Sequence, residues 1–301
     1  MKTLLDMRGI VTVLNTPFTD EDTLDLPGLR VNVRNAIDAG VAGFLVPALA
    51  SETGKLTEAE RLQLVETVVT ETEGRVPVIG GASSPDAKER HRLARRYTEL
   101  GCAGILANIP FENETAYRNA VLDLASTRPG FLMLQDWDPS GYGLPIPLIV
   151  RLFEEIDEFR CLKIEVIPAG VKYSEVLAAT SGCLHVSGGW AVTQMIEGLD
   201  RGVHAFMPTG MHRIYTRIYA LYADGCRDEA CALFNKVAPV LAFSNQHLDI
   251  SIHFFKRLLH AQGVYATPRV RDPILPFDAV HERQANEHIK RVMALEEELT
   301  G

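Results

Sequence analysis

Lys163 sits in the middle of Phe159-Arg160-Cys161-Leu162-Lys163-Ile164-Glu165-Val166, a run with the residues of a buried strand, and of the chain's eight lysines only this one interrupts such a run. Alternation along a strand sends Leu162 and Ile164 to one side, and Cys161, Lys163 and Glu165 to the other. If that second side is the inside of a barrel, the charge is costly there. Burial without a partner depresses a lysine pKa by roughly 3 to 5 units at the extreme, and the neutral amine is the species that adds to a carbonyl. Two plainer arrangements satisfy the same spacing: a buried Lys163–Glu165 ion pair, and a solvated lysine at a strand edge.

The elements that must position this lysine follow from hydrophobic periodicity. Short β-rich runs lie at Ile10–Leu14, Phe44–Pro47, Val76–Gly80, Gly104–Ala107, Phe131–Gln135, Cys161–Glu165, Leu184–Ser187 and Val203–Met207. Between them the period lengthens from 2 to 3.6, as in Thr57–Thr72 and Pro85–Leu100. Strands joined by helical crossovers in this number predict an α/β fold, a closed (β/α)8 TIM barrel, in preference to an open doubly wound sheet; no GxGxxG or GxxxxGKS fingerprint is present. After the eighth run come helical stretches near Ile214–Ala223, Arg227–Ala242, Leu248–Ala261 and Ala279–Glu298, more than a barrel requires. The expectation is one domain over residues 1–301, with the barrel over about 8–223 and a C-terminal helical extension over about 224–301.

Barrel enzymes collect reactive side chains at the C-terminal ends of strands. Here those ends offer Thr12, Asn15 and Thr16, then Ser51 and Glu52, Asn108, Gln135 and Asp136, Lys163 and Glu165, Ser187, and Thr209. Nine histidines show no HxH or HExxH spacing, so no metal site is expected, and His185 reads as a satisfied inner-face residue. Segments Ser187–Trp190 and Pro208–Gly210 follow strands that bind phosphate in many barrels, while Trp137 and Trp190 stand at expected loop mouths, as core residues or as an aromatic wall for a less polar fragment. Five cysteines without a CxxC pair read as reduced thiols in a cytoplasmic protein. A net charge of −9 with no basic stripe argues against nucleic acid and anionic membranes. Met1–Asp6 has no apolar leader-like core, and no run reaches about 18 apolar residues.

Several stretches resemble the dihydrodipicolinate synthase and N-acetylneuraminate lyase family. Gly9-Ile10-Val11-Thr12-Val13-Leu14-Asn15-Thr16-Pro17-Phe18 is similar to its first strand and Thr-Pro-Phe turn. Ala48-Leu49-Ala50-Ser51-Glu52 and the following Lys55–Arg61 look like its Gly-x-x-Gly-Glu loop and next helix start. Pro77–Gly81, the strand ending Ile109-Pro110-Phe111, Lys163-Ile164-Glu165 and Pro268–Pro273 match later landmarks in order. The resemblance implies a barrel with helical extension, a homo-oligomer (tetramer or dimer), no cofactor, and Lys163 as the nucleophile that forms a Schiff base with pyruvate or a pyruvate-derived 2-keto acid.

Departures from the family pattern bear on chemistry. Leu49 and Ala50 replace two adjacent threonines that hold the keto-acid carboxylate, leaving loop N–H groups and the Ser51 hydroxyl as candidate donors. The relay tyrosine of the fifth strand falls on Gln135 or Asp136, the arginine after that turn is absent, and no second tyrosine stands near Phe111 or Glu112. An imine mechanism still needs a positioned acid or base. Asp136 is the first candidate, with a turn-capping carboxylate as its plainer role; Glu165 is second, and Asp138, Tyr142 and His185 follow. Leu49, Ala50, Ser51, Gln135, Ser187 and Phe206 complete the expected site as substrate-binding residues. The expected activity is that of a class I lyase or aldolase, or a dehydratase. The alternatives are dihydrodipicolinate synthesis itself, and a degenerate barrel that binds a keto or sugar acid without turnover.

Overall fold

Eight parallel strands close into a barrel in chain order: β1 (Gly9–Val13), β2 (Gly43–Val46), β3 (Val78–Gly81), β4 (Gly104–Ala107), β5 (Leu132–Asp138), β6 (Phe159–Val166), β7 (His185–Gly188) and β8 (Ala205–Phe206). The computed structural model describes residues 7–300. Met1–Asp6, read above for a leader, lie outside the described residues, as do the side chains of Trp190 and Ala191. Among the described residues no helix is long and apolar enough to cross a membrane.

Contacts gather the chain into two units. One holds the residues up to Val11 together with Pro77–Met207; the other holds Thr12–Val76 and the residues from Pro208 onward. The first contains β3 to β8 with helices α3 (Ala87–Glu99), α4 (Glu114–Ala125), α5 (Ile146–Glu155), α6 (Ala169–Ala179) and α7 (Met195–Asp200). The second contains β2 with α1 (Leu26–Asp38), α2 (Glu58–Thr72), α8 (His212–Ala223), α9 (Arg227–Ser244), α10 (Leu248–Ala261) and α11 (Ala279–Thr300). Helix starts follow local chemistry. Thr57 and Glu60 exchange side-chain and backbone bonds in a capping box that opens α2, and the Asp25 carboxylate accepts from Gly28 N–H at 2.9 Å at the head of α1.

Register in the first unit decides which side chains share a face. Between β5 and β6 the pairs are Gln135 with Lys163, Asp136 with Ile164 and Trp137 with Glu165; between β6 and β7 Lys163 pairs with Ser187 and Ile164 with Gly188; between β7 and β8 Ser187 pairs with Ala205 and Gly188 with Phe206. Laterally paired residues point the same way and successive ones opposite ways. Gln135, Lys163, Ser187 and Ala205 thus form one row, while Asp136, Ile164, Gly188 and Phe206 form the next, on the other face. Strand β5 runs past the expected Gln135 to Asp138 because its ladder with β6 continues to Val166.

Two buried histidines are held neutral. His185 Nε2 lies 2.7 Å from the Met7 carbonyl and its Nδ1 3.0 Å from Cys161 Sγ; His212 bonds Thr12 Oγ1 at 3.1 Å and Asn32 Oδ1 at 3.0 Å. Burial pushes the first down to about 3 and the second down to about 4. Once unfolded, both protonate near their ordinary value, so stability falls as pH drops below about 6.5 and goes on falling until the folded-state values are reached. Each should withdraw roughly 2 kcal/mol between pH 6.5 and 5. Urea midpoints at the two pH values check this. His212→Asn should flatten the dependence by about one proton, and an unchanged slope would contradict the account.

Candidate active site

Within the Gln135–Lys163–Ser187 row, two residues apart on β6, the Lys163 amine meets the Glu165 carboxylate at 3.0 Å, both side chains almost wholly buried. The same carboxylate oxygen accepts from Gln135 Nε2 at 2.5 Å. An ammonium and a carboxylate withdrawn together from water offset part of each other's desolvation, and the amide donor fixes the carboxylate's rotamer. The pair therefore sets a carboxylate at hydrogen-bond distance from the amine of the lysine expected to act as a nucleophile.

Gly189, just past β7, closes over this pair. A Cβ built there would land on the Glu165 carboxylate and lie 2.6 Å from Lys163 Cε. Its absence is what lets the backbone run against the two charged side chains. Gly189→Ala should push Glu165 off the amine, costing about 1–3 kcal/mol of stability and slowing imine formation with a keto acid by at least about tenfold. Borohydride trapping over time reads that rate, and parent-like trapping would show that the contact is immaterial.

Other expected members of the site are placed elsewhere. Asp136 lies in the alternate row, and its carboxylate pairs at 2.5 Å with Lys172 of α6 while accepting from Leu144 N–H at 2.9 Å. Burial drives the Asp136 carboxyl up and the Lys172 amine down, each partly opposed by the other's charge. Phe206, in the same row, is fully buried and turns toward Gly198 of α7, where an added Cβ would stand 2.7 Å from its ring. One register explains both placements: a residue next to the row of Lys163 faces the helices. Ser187 does join Lys163 in the row, with its hydroxyl 3.9 Å from Cys161 Sγ.

Asp138 serves its own turn. Its carboxylate accepts from Ser140 N–H at 3.1 Å and Gly143 N–H at 3.2 Å, and these bonds hold it below the usual carboxylate range. Tyr142 donates to Glu175 at 2.6 Å, and desolvation with the Glu175 charge pushes its hydroxyl up to about 12. His185 is the core residue expected from its place on β7. Trp137 is 39% exposed at the end of β5, directly opposite Glu165.

In the second unit Leu49, Ala50 and Ser51 form a single 3-10 turn, with Leu49 exposed and Ser51 fully buried. The Ser51 hydroxyl donates to the Leu14 carbonyl at 2.5 Å, accepts from Ala48 N–H at 2.9 Å, and its backbone N–H donates to Ala48 at 2.8 Å. Its hydroxyl and backbone N–H are thus both engaged in shaping the turn. Asn15 donates to the Ala50 carbonyl at 2.7 Å and Thr16 to the Ser51 carbonyl at 2.6 Å. Glu52, at φ 57°, ends the turn; Lys256 donates to it, as do Lys55 at 3.1 Å and Arg271 N–H at 2.9 Å. Burial pushes the Lys256 amine down to about 8, against the pull of Glu52.

Lys172 and Lys256 are residues that sequence reasoning passed over, and Gly189 was read only as part of the segment Ser187–Trp190. Lys172 and Lys256 lie on helices, where periodicity alone does not distinguish a buried lysine from a solvated one. Among the described residues no group of three or more His, Cys, Asp or Glu stands in position to hold a metal ion.

Comparison with known proteins adds four findings. Residues 6–123 match the family model described as the dihydrodipicolinate synthetase family. The chain is similar to an L-2-keto-3-deoxyarabonate dehydratase of Azospirillum brasilense, 29% identical over 281 residues that span 89% of this chain and 88% of the relative. A 4-hydroxy-tetrahydrodipicolinate synthase of Methanopyrus kandleri is 36% identical over 109 residues, only 36% of each chain. In fold the chain is similar to the dihydrodipicolinate synthase of Rhodopseudomonas palustris, with a TM-score of 0.87, 20% identity, and coverage of 97% of this chain and 100% of that one.

Proposed function

Taking the chain as a divergent relative of the dihydrodipicolinate synthetase family, we propose that it is a Schiff-base lyase of pyruvate-derived 2-keto acids, with Lys163 as nucleophile and Glu165 as the group that moves protons. The observation that carries this is the Lys163 amine held 3.0 Å from a Gln135-oriented carboxylate. In the first step the neutral amine adds to the C2 carbonyl, and Glu165 takes the ammonium proton that this requires. The protonated carboxyl then returns the proton to the carbinolamine hydroxyl, which leaves as water, so that an iminium forms between C2 and Nζ. The iminium withdraws electrons from C3. Glu165, a carboxylate again, takes a C3 proton to give an enamine, whose electrons expel the C4 hydroxyl as Glu165 returns that proton to form water; alternatively, Glu165 takes the C4 hydroxyl proton, C3–C4 breaks, an aldehyde leaves and the enamine stays on Lys163.

Dehydration is the outcome supported by the relative that matches over nearly the whole chain, which is named as a dehydratase. Dihydrodipicolinate synthesis is disfavoured by Leu49 and Ala50, which bring no hydroxyl, and by a Ser51 hydroxyl already donated to Leu14. A homo-oligomeric state (tetramer or dimer) and a cytoplasmic location belong to the same proposal. Its test is reductive trapping: a keto acid and borohydride should leave one covalent adduct on the protein, and a 2-keto-3-deoxy sugar acid should be turned over without added metal or cofactor. A protein that traps the adduct and releases no product would be the binding-only barrel.

A further inference from the structure

Lys172 is wholly buried on the first turn of α6, where its amine pairs with the Asp136 carboxylate at 2.5 Å and donates to the Tyr142 carbonyl at 2.5 Å and the Leu144 carbonyl at 2.8 Å. Its partners all belong to the end of β5 and the loop that follows. Asp136 is itself tied to that loop through Leu144 N–H at 2.9 Å. Gly143, at φ +66°, runs so close to Asp136 that a Cβ would fall on the carboxylate and within 2.7 Å of Val166 on β6. The loop is secured at two further points, Gly143 N–H on Asp138 at 3.2 Å and Ile167 N–H on the Gly141 carbonyl at 3.0 Å. One buried ammonium therefore joins the β5 end to the segment β6–α6, the segment that carries Lys163 and Glu165.

The residue it anchors lies between two that face the site. Gln135 precedes Asp136 and orients Glu165; Trp137 follows it, opposite Glu165 in the ladder. Three successive residues of a strand are thus held by opposite faces, with the outer one fixing the height and twist of the inner two. We infer that Lys172 and Asp136 are positioning residues: together they hold Gln135 and Trp137 against Glu165, and so set the distance over which Glu165 exchanges protons with Lys163. The inference rests on the Schiff-base proposal for its catalytic consequence, though not for the structural one. A buried pair spent only on stability would be replaceable by packed apolar groups without effect on the site.

Hydrogen exchange and kinetics on the full chain separate these cases. In Lys172→Met, amides of Gly143, Leu144 and Ile167 should exchange at least about tenfold faster while the strand around Leu162 keeps its protection, and kcat should fall about 10- to 100-fold with KM little changed. Should Lys172→Met fail to fold, Asp136→Asn decides. It keeps an acceptor for Leu144 but turns an amide NH2 in place of the second carboxylate oxygen toward the Lys172 ammonium, so it should show the same pattern with a kcat loss of up to about tenfold. A folded variant with parent-like exchange at Gly143 and Leu144, or with faster exchange but unchanged kcat, overturns the inference. Failure of the Schiff-base proposal reads out differently, as absence of a trapped adduct in the parent protein, and the exchange measurement then still decides whether Lys172 holds the loop.

Discussion

Lys163→Ala is expected to abolish covalent capture of 2-keto acids and to lower turnover by at least about 10⁴-fold, the scale seen when a covalent nucleophile is removed. In the parent, incubation with pyruvate and borohydride should add the mass of one reduced pyruvate unit, and peptide mapping should place it on Lys163. Mapping matters because Lys172 and Lys256 are also buried lysines, and burial lowers both amines, that of Lys256 down to about 8. Neither is free to react. Lys256 is clamped by Glu52 and donates to the Arg269 carbonyl at 2.7 Å, and Lys172 is held by Asp136 and by the Tyr142 and Leu144 carbonyls. Lys163 differs in that its amine meets, at 3.0 Å, a carboxylate able to accept the proton that the amine must shed. Absence of an adduct with pyruvate and with larger 2-keto acids would remove the Schiff-base proposal altogether.

What made Lys163 visible in the sequence is the cost of its position. A charge in a β-rich run has few structural excuses, and alternation alone puts Glu165 on the same side, where the structure finds it at 3.0 Å. The barrel was legible for a related reason, since each switch of period from 2 to 3.6 marks one βα unit. Gly104–Ala107 appears with the expected bounds, whereas the eighth strand shrinks from Val203–Met207 to Ala205–Phe206. Strand ends are weakly encoded because the ladder, not local preference, stops the pairing.

The site was less legible, and the reason is geometric. Choosing between Gln135 and Asp136 needed the register of β5 against β6, and a shift of one residue exchanges the inner and outer faces. That register includes an irregularity between Leu132 and Met133, which no local pattern announces. Once it is known, Gln135 and Asp136 fall on opposite faces, and so do Ser187 and Gly188, Ala205 and Phe206. Gly189 was hidden differently. A glycine required by close approach looks in the sequence like one required by a turn, and only the position of Lys163 Cε tells them apart. Tyr173, a wholly buried α6 residue, also escaped notice; burial first, and the negative charge of Glu165 second, drive its hydroxyl upward.

Glu165→Gln is expected to separate adduct formation from turnover. The substitution preserves shape and leaves an oxygen for Gln135 to donate to, so the strand should hold and Lys163 should still be trapped at saturating keto acid. What disappears is a group that can take a proton and give it back. General acid–base catalysis by a positioned side chain contributes about 10²- to 10⁴-fold, and kcat should fall within that range. Asp136→Asn supplies the contrast: its carboxylate faces Lys172 and not Lys163, so it should alter rate through position, by up to about tenfold, and leave the shape of the pH profile intact. Were the order reversed, with Asp136→Asn losing about a thousandfold and Glu165→Gln remaining within about threefold of the parent, proton transfer would have to be assigned to the alternate row. The pairing of Gln135 with Lys163 would then no longer describe the working enzyme, because one strand cannot present both residues to the same amine.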